Sequence, residues 1–249
     1  MISPQRLTSF ERPARAAVVG ASGGIGAAAV DLLAQEGFET VHALSRKGRD
    51  SGNPAVHPGR IDIEQESSIA AAAELLRVGA PLRLVLVATG LLHDASLQPE
   101  KTYRSLDPDQ LARSFAINAI GPALVAKHLM PLLPRAGKSV FAVISARVGS
   151  IEDNRLGGWY GYRASKAALN QLVRTLAIEL RRQKPDAVCV ALHPGTVDTK
   201  LSQPFQAGVE NGKLFAPDYA AQRLLAVMDG LTAADSGGFF AWDGQKIPF

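Results

Sequence analysis

The sequence predicts an α/β protein built on a doubly wound, mostly parallel sheet of about seven strands, with helices on both faces. Three observations lead to this fold class. Short apolar runs alternate with helix-favouring stretches, the first run passes directly into a glycine-rich turn, and no repeat, low-complexity segment or linker divides the 249 residues. We therefore expect one domain over residues 1–249, with a loose lead-in at 1–14 and a substrate loop or lid at 199–215.

The composition is typical of a globular protein, with 47% apolar and 20% charged residues. The formal net charge is +4 and the basic residues are scattered, which argues against a nucleic-acid surface. The single cysteine, Cys189, excludes a disulfide framework and lies in an apolar run, so we expect a buried thiol. No apolar run approaches about 18 residues and no secretory signal is visible, so we expect a cytoplasmic protein that does not enter membranes.

The first predicted strand, at 16–19, leads into the glycine-rich turn GASGGIG at 20–26 and then into a helix at 27–36. In this context the glycines allow a tight turn, close approach to a pyrophosphate and packing of helix on strand. The N–H groups at the start of the helix then face the phosphates. The turn therefore predicts a dinucleotide site, and the alternative is an ordinary glycine-rich connection.

The second predicted strand, at 39–44, ends in Ser45 and Arg46. This is about 20 residues beyond the glycines, where an acidic residue would bind the adenosine ribose of NAD. No acidic residue stands there, and Arg46 could instead pair with a 2′-phosphate, with Lys47 adding to the positive field. The sequence thus favours NADP(H), and the alternative is a solvated basic turn.

The rest of the chain continues the alternation. Further strands are predicted at 60–63, 82–88, 139–144, 187–192 and 238–242, and helices at 67–77, 107–133, 158–182 and 217–228. Pro122 should kink the long helix close to Asn118, which is either a helix defect or a positioned site group. Ligands of such sheets bind beyond the carboxyl ends of the strands. Five features fall at that edge besides the glycine turn: Arg46, Asp62, Thr89-Gly90, Ser145 and the loop 193–199.

Tyr162 and Lys166 lie four residues apart in a stretch that favours helix, so both should project from one face. A tyrosine hydroxyl has a pKa of about 10, and a neighbouring ammonium favours the phenolate. The spacing therefore predicts a tyrosine of lowered pKa that can act as general acid or base. The same spacing arises often by chance, with the tyrosine merely packing on the lysine stem.

Together these residues resemble the short-chain dehydrogenase/reductase family, over roughly Arg15 to Phe249. The resemblance is carried by the glycine turn at 20–26, Asp62, Asn118, the run Tyr162-Arg163-Ala164-Ser165-Lys166, and Pro194-Gly195. The stretches at 147–170 and 237–249 resemble the C-factor-like, carbonyl-reductase-like branch of that family.

The resemblance implies an NADP(H)-dependent oxidoreductase that transfers hydride between the nicotinamide and a carbonyl or alcohol of a small organic substrate. Tyr162 would protonate the carbonyl oxygen, Lys166 would lower the tyrosine pKa and bind the nicotinamide ribose, and Asn118 would hold a water that links Lys166 to solvent. No metal is implied. A homodimer or homotetramer formed through the helices at 107–133 and 158–182 is expected.

The predicted cofactor site follows from the same resemblance and from the sheet edge. It comprises Gly20, Ser22, Gly24, Ile25, Gly26, Ser45, Arg46, Asp62, Ile63, Thr89, Gly90, Tyr162, Lys166, Pro194, Gly195, Val197 and Thr199. The substrate should lie between the nicotinamide and residues 199–215. His93 or the segment 147–161, with Trp159, is expected to contribute, although each of these is more often a packing or loop residue.

Two departures from the family pattern leave the function open. Ala146 stands where relatives carry the serine that polarises the carbonyl, and the adjacent Ser145 points to the opposite face of a regular strand. Ser145 is therefore either a replacement donor or a strand-end hydroxyl, and losing such a donor can cost about 10²–10³ in rate. Residues 87–90 read Val-Ala-Thr-Gly where many relatives have Asn-Asn-Ala-Gly. The alternatives are a cofactor-binding regulatory or signalling protein with little turnover, and an epimerase or dehydratase.

Overall fold

The computed structural model describes residues 7–48 and 52–249. These residues form nine strands, all but two of which belong to one sheet. In chain order they are β1 (Arg15–Val19), β2 (Thr40–Ser45), β3 (Val56–Arg60), β4 (Leu82–Val87), β5 (Ser139–Ile144), β6 (Ala187–His193), β7 (Thr196–Val197), β8 (Leu214–Phe215) and β9 (Phe239–Ala241). The central sheet has seven strands in the order β3-β2-β1-β4-β5-β6-β9, and every pair is parallel. The predicted doubly wound, Rossmann-like fold is confirmed.

Helices cover both faces of the sheet. In the described residues they are α1 (Gly24–Gln35), α2 (Glu66–Leu75), α3 (Pro108–Phe115), α4 (Gly121–Leu129), α5 (Tyr160–Gln183) and α6 (Pro217–Gly230). Helices α1 and α6 pack on one face with Leu33 and Leu224 fully buried. Helices α2, α4 and α5 pack on the other, where Phe141 of β5 is fully buried. Each such side chain contributes about 1.5–3 kcal/mol through removal from water, so the two cores fix the sheet rigidly.

The central strands are buried on both faces, as their continuous apolar sequences predict. Every residue of β1 and β4 is buried. Along β1, Ala16 and Val18 face the α1 side while Ala17 and Val19 face the α5 side. Cys189 of β6 is fully buried, as predicted, and burial raises the pKa of its thiol to about 12.

The predicted loose lead-in is only partly testable, because residues 1–6 lie outside the described residues. For residues 7–14 the prediction is wrong. Leu7 and Phe10 are buried, and the Phe10 ring lies 6.0 Å from that of Phe38. The backbone N–H of Leu7 also donates to the Glu36 carboxylate at 2.9 Å. Two apolar anchors within a polar, proline-containing stretch fasten it to the α1 face.

The third strand lies earlier than predicted. It spans Val56–Arg60 rather than 60–63, and pairs with β2 in the register His42 to His57. The sequence VHPGR is polar because β3 is an edge strand, where a proline is tolerated and one side faces water. Asp62 and Ile63 therefore belong to the connection that follows the strand.

The predicted helix 107–133 is helical throughout but not uniform. Between α3 and α4 the chain makes a π-helical turn at Ala116–Ile120, with Asn118 at its centre, and α4 is followed by a 3₁₀ turn at Met130–Leu132. π-turns within α-helices are frequent at functional sites. The irregularity thus lies at Asn118 itself rather than at Pro122 alone.

The same helical stretch, Pro108–Leu132, is apolar enough in one window to resemble a membrane span, with a mean hydropathy of 1.2. Counting only continuous apolar runs misses this property. Val125 and Leu129 of this stretch are fully buried in the core beside α5. The window is 44% buried, so part of its apolar surface packs against the sheet.

Residues 199–215 are more ordered than the absence of periodicity suggests. They contain a 3₁₀ helix at Gln203–Gly208 and end in β8, which pairs with β7 through Val197 and Phe215. The segment therefore leaves the sheet edge and returns to it, and it packs over the glycine turn and over the start of α5.

Candidate active site

Helix α5 presents Tyr162 and Lys166 at the carboxyl edge of the sheet. The Lys166 side chain is 2% exposed, and its Nζ donates to the Ile144 carbonyl at 2.9 Å, at the end of β5. Nζ lies 5.8 Å from the centroid of the Tyr162 ring. A Cβ built on Gly90 would lie 3.7 Å from both Lys166 Nζ and Asn118 Oδ1. The structure thus gathers Tyr162, Lys166, Asn118 and Gly90, as predicted.

Burial sets the pKa values of this pair in opposite directions. It lowers the pKa of Lys166 to about 8 and raises the pKa of Tyr162 above its ordinary value. The predicted lowering of the tyrosine pKa by Lys166 is therefore wrong for the chain by itself. The ammonium is directed at the Ile144 carbonyl, and loss of water around the phenol penalises the phenolate. The phenol is protonated at neutral pH, and the raised pKa makes it a weaker acid than a tyrosine in water.

The Asn118 side chain has both ends occupied. Its Oδ1 accepts from the Leu91 N–H at 2.8 Å, and its Nδ2 donates to the Leu91 carbonyl at 2.8 Å and to Ser165 Oγ at 3.1 Å. Ser165 in turn donates to the Tyr162 carbonyl at 2.9 Å. Asn118 therefore ties the end of β4 to the turn of α5 that carries Tyr162.

The hydrogen bonding of the Asn118 backbone carbonyl differs from that of the side chain. In an α-helix its partner would be the N–H of residue 122, but Pro122 has none. The π-turn at Ala116–Ile120 displaces the helix register at the same place. The Asn118 carbonyl therefore lacks the hydrogen-bond partner that a regular α-helix would give it.

The Ser145 hydroxyl is hydrogen-bonded within the chain. It is buried and donates to Asn170 Oδ1 at 2.7 Å. Asn170 Nδ2 donates to the Gly149 carbonyl at 3.4 Å, which fixes the amide orientation and makes Ser145 the donor. A serine has one hydroxyl hydrogen, and here it is used internally. Ala146 is half-buried beside it and offers only a methyl group.

The glycine turn has the geometry of an anion site. Gly20 has φ +90°, a left-handed conformation that other residues rarely adopt, and a Cβ on Gly26 would lie 2.3 Å from the Gly20 carbonyl oxygen. No side chain of the described residues caps the start of α1. Its N–H groups, which belong to Gly24, Ile25 and Gly26, are therefore available to phosphate oxygens, with Ser22 exposed beside them.

Residues after β6 cover the glycine turn. A Cβ on Gly24 would lie 2.8 Å from the Thr199 methyl, so this glycine accommodates the loop as well as any ligand. Pro194 and Val197 are buried below, and Gly195 adjoins the ring of Phe215. The predicted positions on both sides of the turn are thus brought together.

The predicted adenosine end lies along β2 and the segment after β3. Arg46 and Lys47 are exposed immediately after β2. Asp62 accepts at Oδ1 from the Glu64 N–H at 3.1 Å, whereas Ile63 is 8% exposed and packs against Gly121. Ile63 therefore offers its backbone rather than its side chain.

Two hydroxyls at this edge test whether a dinucleotide fits. Among the described residues, the buried Oγ of Ser45 and Oγ1 of Thr89 have no hydrogen-bond partner. Buried polar groups are normally paired, so these two hydroxyls beside the glycine turn are available to a polar ligand. Together with the uncapped helix α1 and the exposed Arg46, they fit a phosphorylated dinucleotide.

Four aromatic rings form a cluster at this edge, which we call the Trp159 cluster: Tyr162, Trp159, Phe205 and His93. Trp159 lies 6.3 Å from Tyr162 and 5.0 Å from Phe205, and Phe205 lies 5.5 Å from His93, all between ring centroids. Trp159 has φ 52°, a left-handed conformation that costs a residue with a Cβ about 1–2 kcal/mol. Its backbone N–H donates to the Glu100 carbonyl at 2.5 Å.

Several of these residues are not predicted by the sequence. Glu100 is buried, and its carboxylate accepts from the Gly161 N–H at 3.0 Å, so it caps α5 from 61 positions away. Glu100 and Phe205 lie in no motif, and Asn170 is only the last residue of the stretch 147–170. The conformation of Trp159 could have been suspected from the Gly157-Gly158 pair before it, since both glycines also have positive φ.

Comparison with known proteins agrees with this geometry. The family model described as short chain dehydrogenase matches residues 14–210. The chain is 39% identical over 144 residues to the C-signal protein of Myxococcus xanthus, covering 58% of this chain and 81% of that one. It is 34% identical over 233 residues to 1-hydroxy-2-glutathionyl-2-methyl-3-butene dehydrogenase of Rhodococcus sp. (strain AD45), covering 92% and 97%.

A solved structure of similar shape is the NADPH-bound carbonyl reductase from chicken fatty liver. It superposes with a TM-score of 0.82 at 28% identity, and the match covers 97% of each chain. The predicted resemblance to the C-factor-like, carbonyl-reductase-like branch is thereby confirmed. Since the family model spans the glycine turn, Tyr162 and Lys166, the chain belongs to the short-chain dehydrogenase/reductase family of oxidoreductases.

Proposed function

We propose that this protein is an NADPH-dependent carbonyl reductase that uses Tyr162 as its general acid. The observation that carries the proposal is the joint placement of Tyr162, Lys166 and Asn118 at the sheet edge beside the glycine turn. Each contact in this group is formed within the chain, with Lys166 Nζ 2.9 Å from the Ile144 carbonyl and Asn118 bound on both sides to Leu91. A protein that only bound a dinucleotide would have less need of these three groups at one place.

The cofactor proposal rests on charge and on unpaired groups. Arg46, exposed after β2, would pair with a 2′-phosphate, and the N–H groups of α1 would bind the pyrophosphate. The Ser45 and Thr89 hydroxyls would find partners on the adenosine half. NADPH, when bound, supplies hydride to the carbonyl carbon. The carbonyl reductase of similar fold was solved with NADPH, which supports this choice.

We infer that Tyr162 supplies the proton during reduction. Its phenol is protonated at neutral pH and can donate to the carbonyl oxygen. Because burial raises its pKa, the positive charge of Lys166 would be needed to help the proton leave. Lys166, with a pKa of about 8, is largely an ammonium at neutral pH and can return a proton toward the tyrosine. A water held by the Asn118 carbonyl would connect Lys166 to solvent.

The proposal is tested with purified protein, NADPH and a panel of aldehydes, ketones and quinones. Consumption of NADPH that depends on both enzyme and carbonyl compound, with the alcohol as product, is the expected result. NADPH binding is measured separately by its fluorescence. Tight binding without turnover of any panel member would contradict the reductase proposal.

A second candidate function is a cofactor-binding regulatory or signalling protein with little turnover. The specific observation is that Ser145 is committed to Asn170 while Ala146 offers no donor, so the carbonyl would be held by Tyr162 alone. The similarity to the C-signal protein is consistent with this candidate. Binding of NADPH with turnover that is unchanged by Tyr162→Phe would favour it.

Two coarser expectations accompany the reductase proposal. We expect a homodimer or homotetramer formed through the helical regions 107–133 and 158–182, and a cytoplasmic location. Light scattering coupled to size exclusion measures the first, and fractionation of the host cells measures the second.

A further inference from the structure

We propose that Trp159 is the specificity-determining residue of this site and selects substrates whose reacting group is carried on a planar aromatic ring. Such a ring would replace Phe205 against the Trp159 indole. The inference rests on the proposed reaction at Tyr162, because it concerns what is bound beside that hydroxyl. It is carried by the backbone of Trp159 and by the contacts of the Trp159 cluster.

The position of the indole is fixed by its backbone. Trp159 has φ 52°, and it is held there by its N–H bond to the Glu100 carbonyl at 2.5 Å. Arg163 clamps the preceding turn, since its Nε donates to the carbonyls of Gly157 at 3.2 Å and Gly158 at 3.0 Å. A residue with a Cβ persists in this conformation only where its surroundings impose it, and such residues concentrate at functional sites.

The indole is directed toward the catalytic tyrosine. Trp159 lies three residues before Tyr162, and the two rings meet edge to face at 6.3 Å with an interplanar angle of 70°. A molecule whose carbonyl oxygen reaches the Tyr162 hydroxyl would therefore have the indole within reach of its remaining atoms. Ala146 offers only a methyl group at the end of β5, so we infer that ring contacts orient the rest of that molecule.

The Phe205 ring shows that the space between Trp159 and His93 accommodates an aromatic ring. The ring is half-buried between two others, 5.0 Å from Trp159 at 62° and 5.5 Å from His93 at 74°. His93 is held in turn by a 3.1 Å contact of its Nε2 with the Lys200 carbonyl. Edge-to-face geometry of this kind favours an aromatic ring over a saturated one of equal size, because it uses the ring quadrupole.

The Phe205 side chain lies outside the paired strands, so it can move away from Trp159 without breaking a strand pairing. Phe205 belongs to the 3₁₀ helix Gln203–Gly208, whose Gln206 side chain is tied to Asp198 at 2.9 Å. The contacts that the Phe205 side chain makes with Trp159 and His93 are ring contacts alone. Replacing the Phe205 ring by a substrate ring would therefore cost little free energy, whereas the Trp159 indole stays fixed by its backbone.

The test compares two aldehydes of equal carbon number, benzaldehyde and cyclohexanecarbaldehyde, in NADPH-dependent turnover. The measured quantity is the ratio of their kcat/KM values. Trp159→Leu should lower the ratio of benzaldehyde to cyclohexanecarbaldehyde by about five-fold or more, since it removes the ring contact. Trp159→Phe keeps a ring and should retain the preference. Tyr160→Leu is the matched control, because Tyr160 is the exposed neighbour on the same turn.

A binding measurement separates this inference from the proposed function. Trp159 is the only tryptophan left in a Trp242→Phe background, so its emission reports ligands at the cluster. Benzamide should bind about five-fold or more tightly than cyclohexanecarboxamide. Equal binding of the two amides, or an unchanged aldehyde ratio in Trp159→Leu, would overturn the inference. Absence of NADPH-dependent turnover with preferential benzamide binding would instead contradict the reductase proposal and support the aromatic site.

Discussion

The Ser145 hydroxyl donates a 2.7 Å hydrogen bond to Asn170 Oδ1, and Asn170 donates from Nδ2 to the Gly149 carbonyl. This pair joins the end of β5 to the middle of α5, C-terminal to Tyr162. It uses the one hydrogen that Ser145 could donate. In the proposed reaction Tyr162 would therefore bind and protonate the carbonyl oxygen without a second side-chain donor from this strand end.

Replacement of Ser145 and of Ala146 should have unequal effects. Ser145→Ala leaves the buried Asn170 oxygen unpaired and should lower the free energy of unfolding by about 1–2 kcal/mol. Its kcat/KM for carbonyl reduction should stay within about three-fold of wild type, because its hydroxyl hydrogen is used in the bond to Asn170. Ala146→Ser places a hydroxyl at the family position and should raise kcat/KM by about ten-fold. A 100-fold loss in Ser145→Ala with an intact fold would show that its hydroxyl does reach the substrate.

The pH dependence of reduction should follow Lys166. Its pKa is lowered to about 8 by burial, so the ammonium that resupplies the proton is present below that pH and is lost above it. Tyr162 has a raised pKa and stays protonated through this range. We expect kcat/KM for NADPH-dependent reduction to be level at neutral pH and to decline as pH rises through about 8. A rate that increases between pH 7 and 9 would contradict the assignment of roles.

Arg46→Ala should separate NADPH from NADH. The side chain is exposed after β2 and would pair with the 2′-phosphate, which NADH lacks. We expect the Kd for NADPH to rise by about ten-fold or more and the Kd for NADH to change by less than about two-fold. Lys47→Ala is the control, since it removes a neighbouring exposed charge and should weaken NADPH binding less. Equal losses of affinity for the two cofactors would contradict the pairing of Arg46 with the 2′-phosphate.

Lys184 should prove structural. Its Nζ donates to the carbonyls of Met130, at 3.0 Å, Pro131, at 2.8 Å, and Leu133, at the end of the helical region that carries Asn118. Lys184→Met should lower the free energy of unfolding by about 2–4 kcal/mol, measured by urea denaturation, because it leaves buried carbonyls unpaired. Arg182→Met alters an exposed neighbour and should change stability by less than about 0.5 kcal/mol. Comparable stability of the two variants would contradict the capping role.

Apolar runs and glycine patterns in the sequence predict those elements of the fold that depend mainly on neighbouring residues in the chain. The central strand β5 lies at the predicted residues 139–144, because a continuous apolar run buried on both faces has few alternatives. The glycine turn is also predicted from the sequence, since the close approach of Gly26 to the Gly20 carbonyl excludes any side chain at residue 26. The edge strand β3 is missed because VHPGR is polar and carries a proline, and its place is set by pairing with β2.

The finer features of the site depend on contacts between distant residues. Glu100 caps α5 across 61 positions, and the role of Ser145 depends on Asn170, 25 positions away. The raised pKa of Tyr162 follows from burial by the folded chain, whereas the sequence shows only the neighbouring lysine. Spacing therefore identifies Tyr162 and Lys166 but not the direction in which the protein shifts the tyrosine pKa.

The most direct test of the central role of Tyr162 is the kcat/KM for NADPH-dependent reduction of the best carbonyl substrate by wild type and by Tyr162→Phe. Binding of NADPH to each protein is measured alongside. We expect the variant to bind NADPH normally and to lose at least about 100-fold in kcat/KM, the contribution typical of a general acid. Equal kcat/KM values for two proteins that bind NADPH equally well would contradict the mechanism.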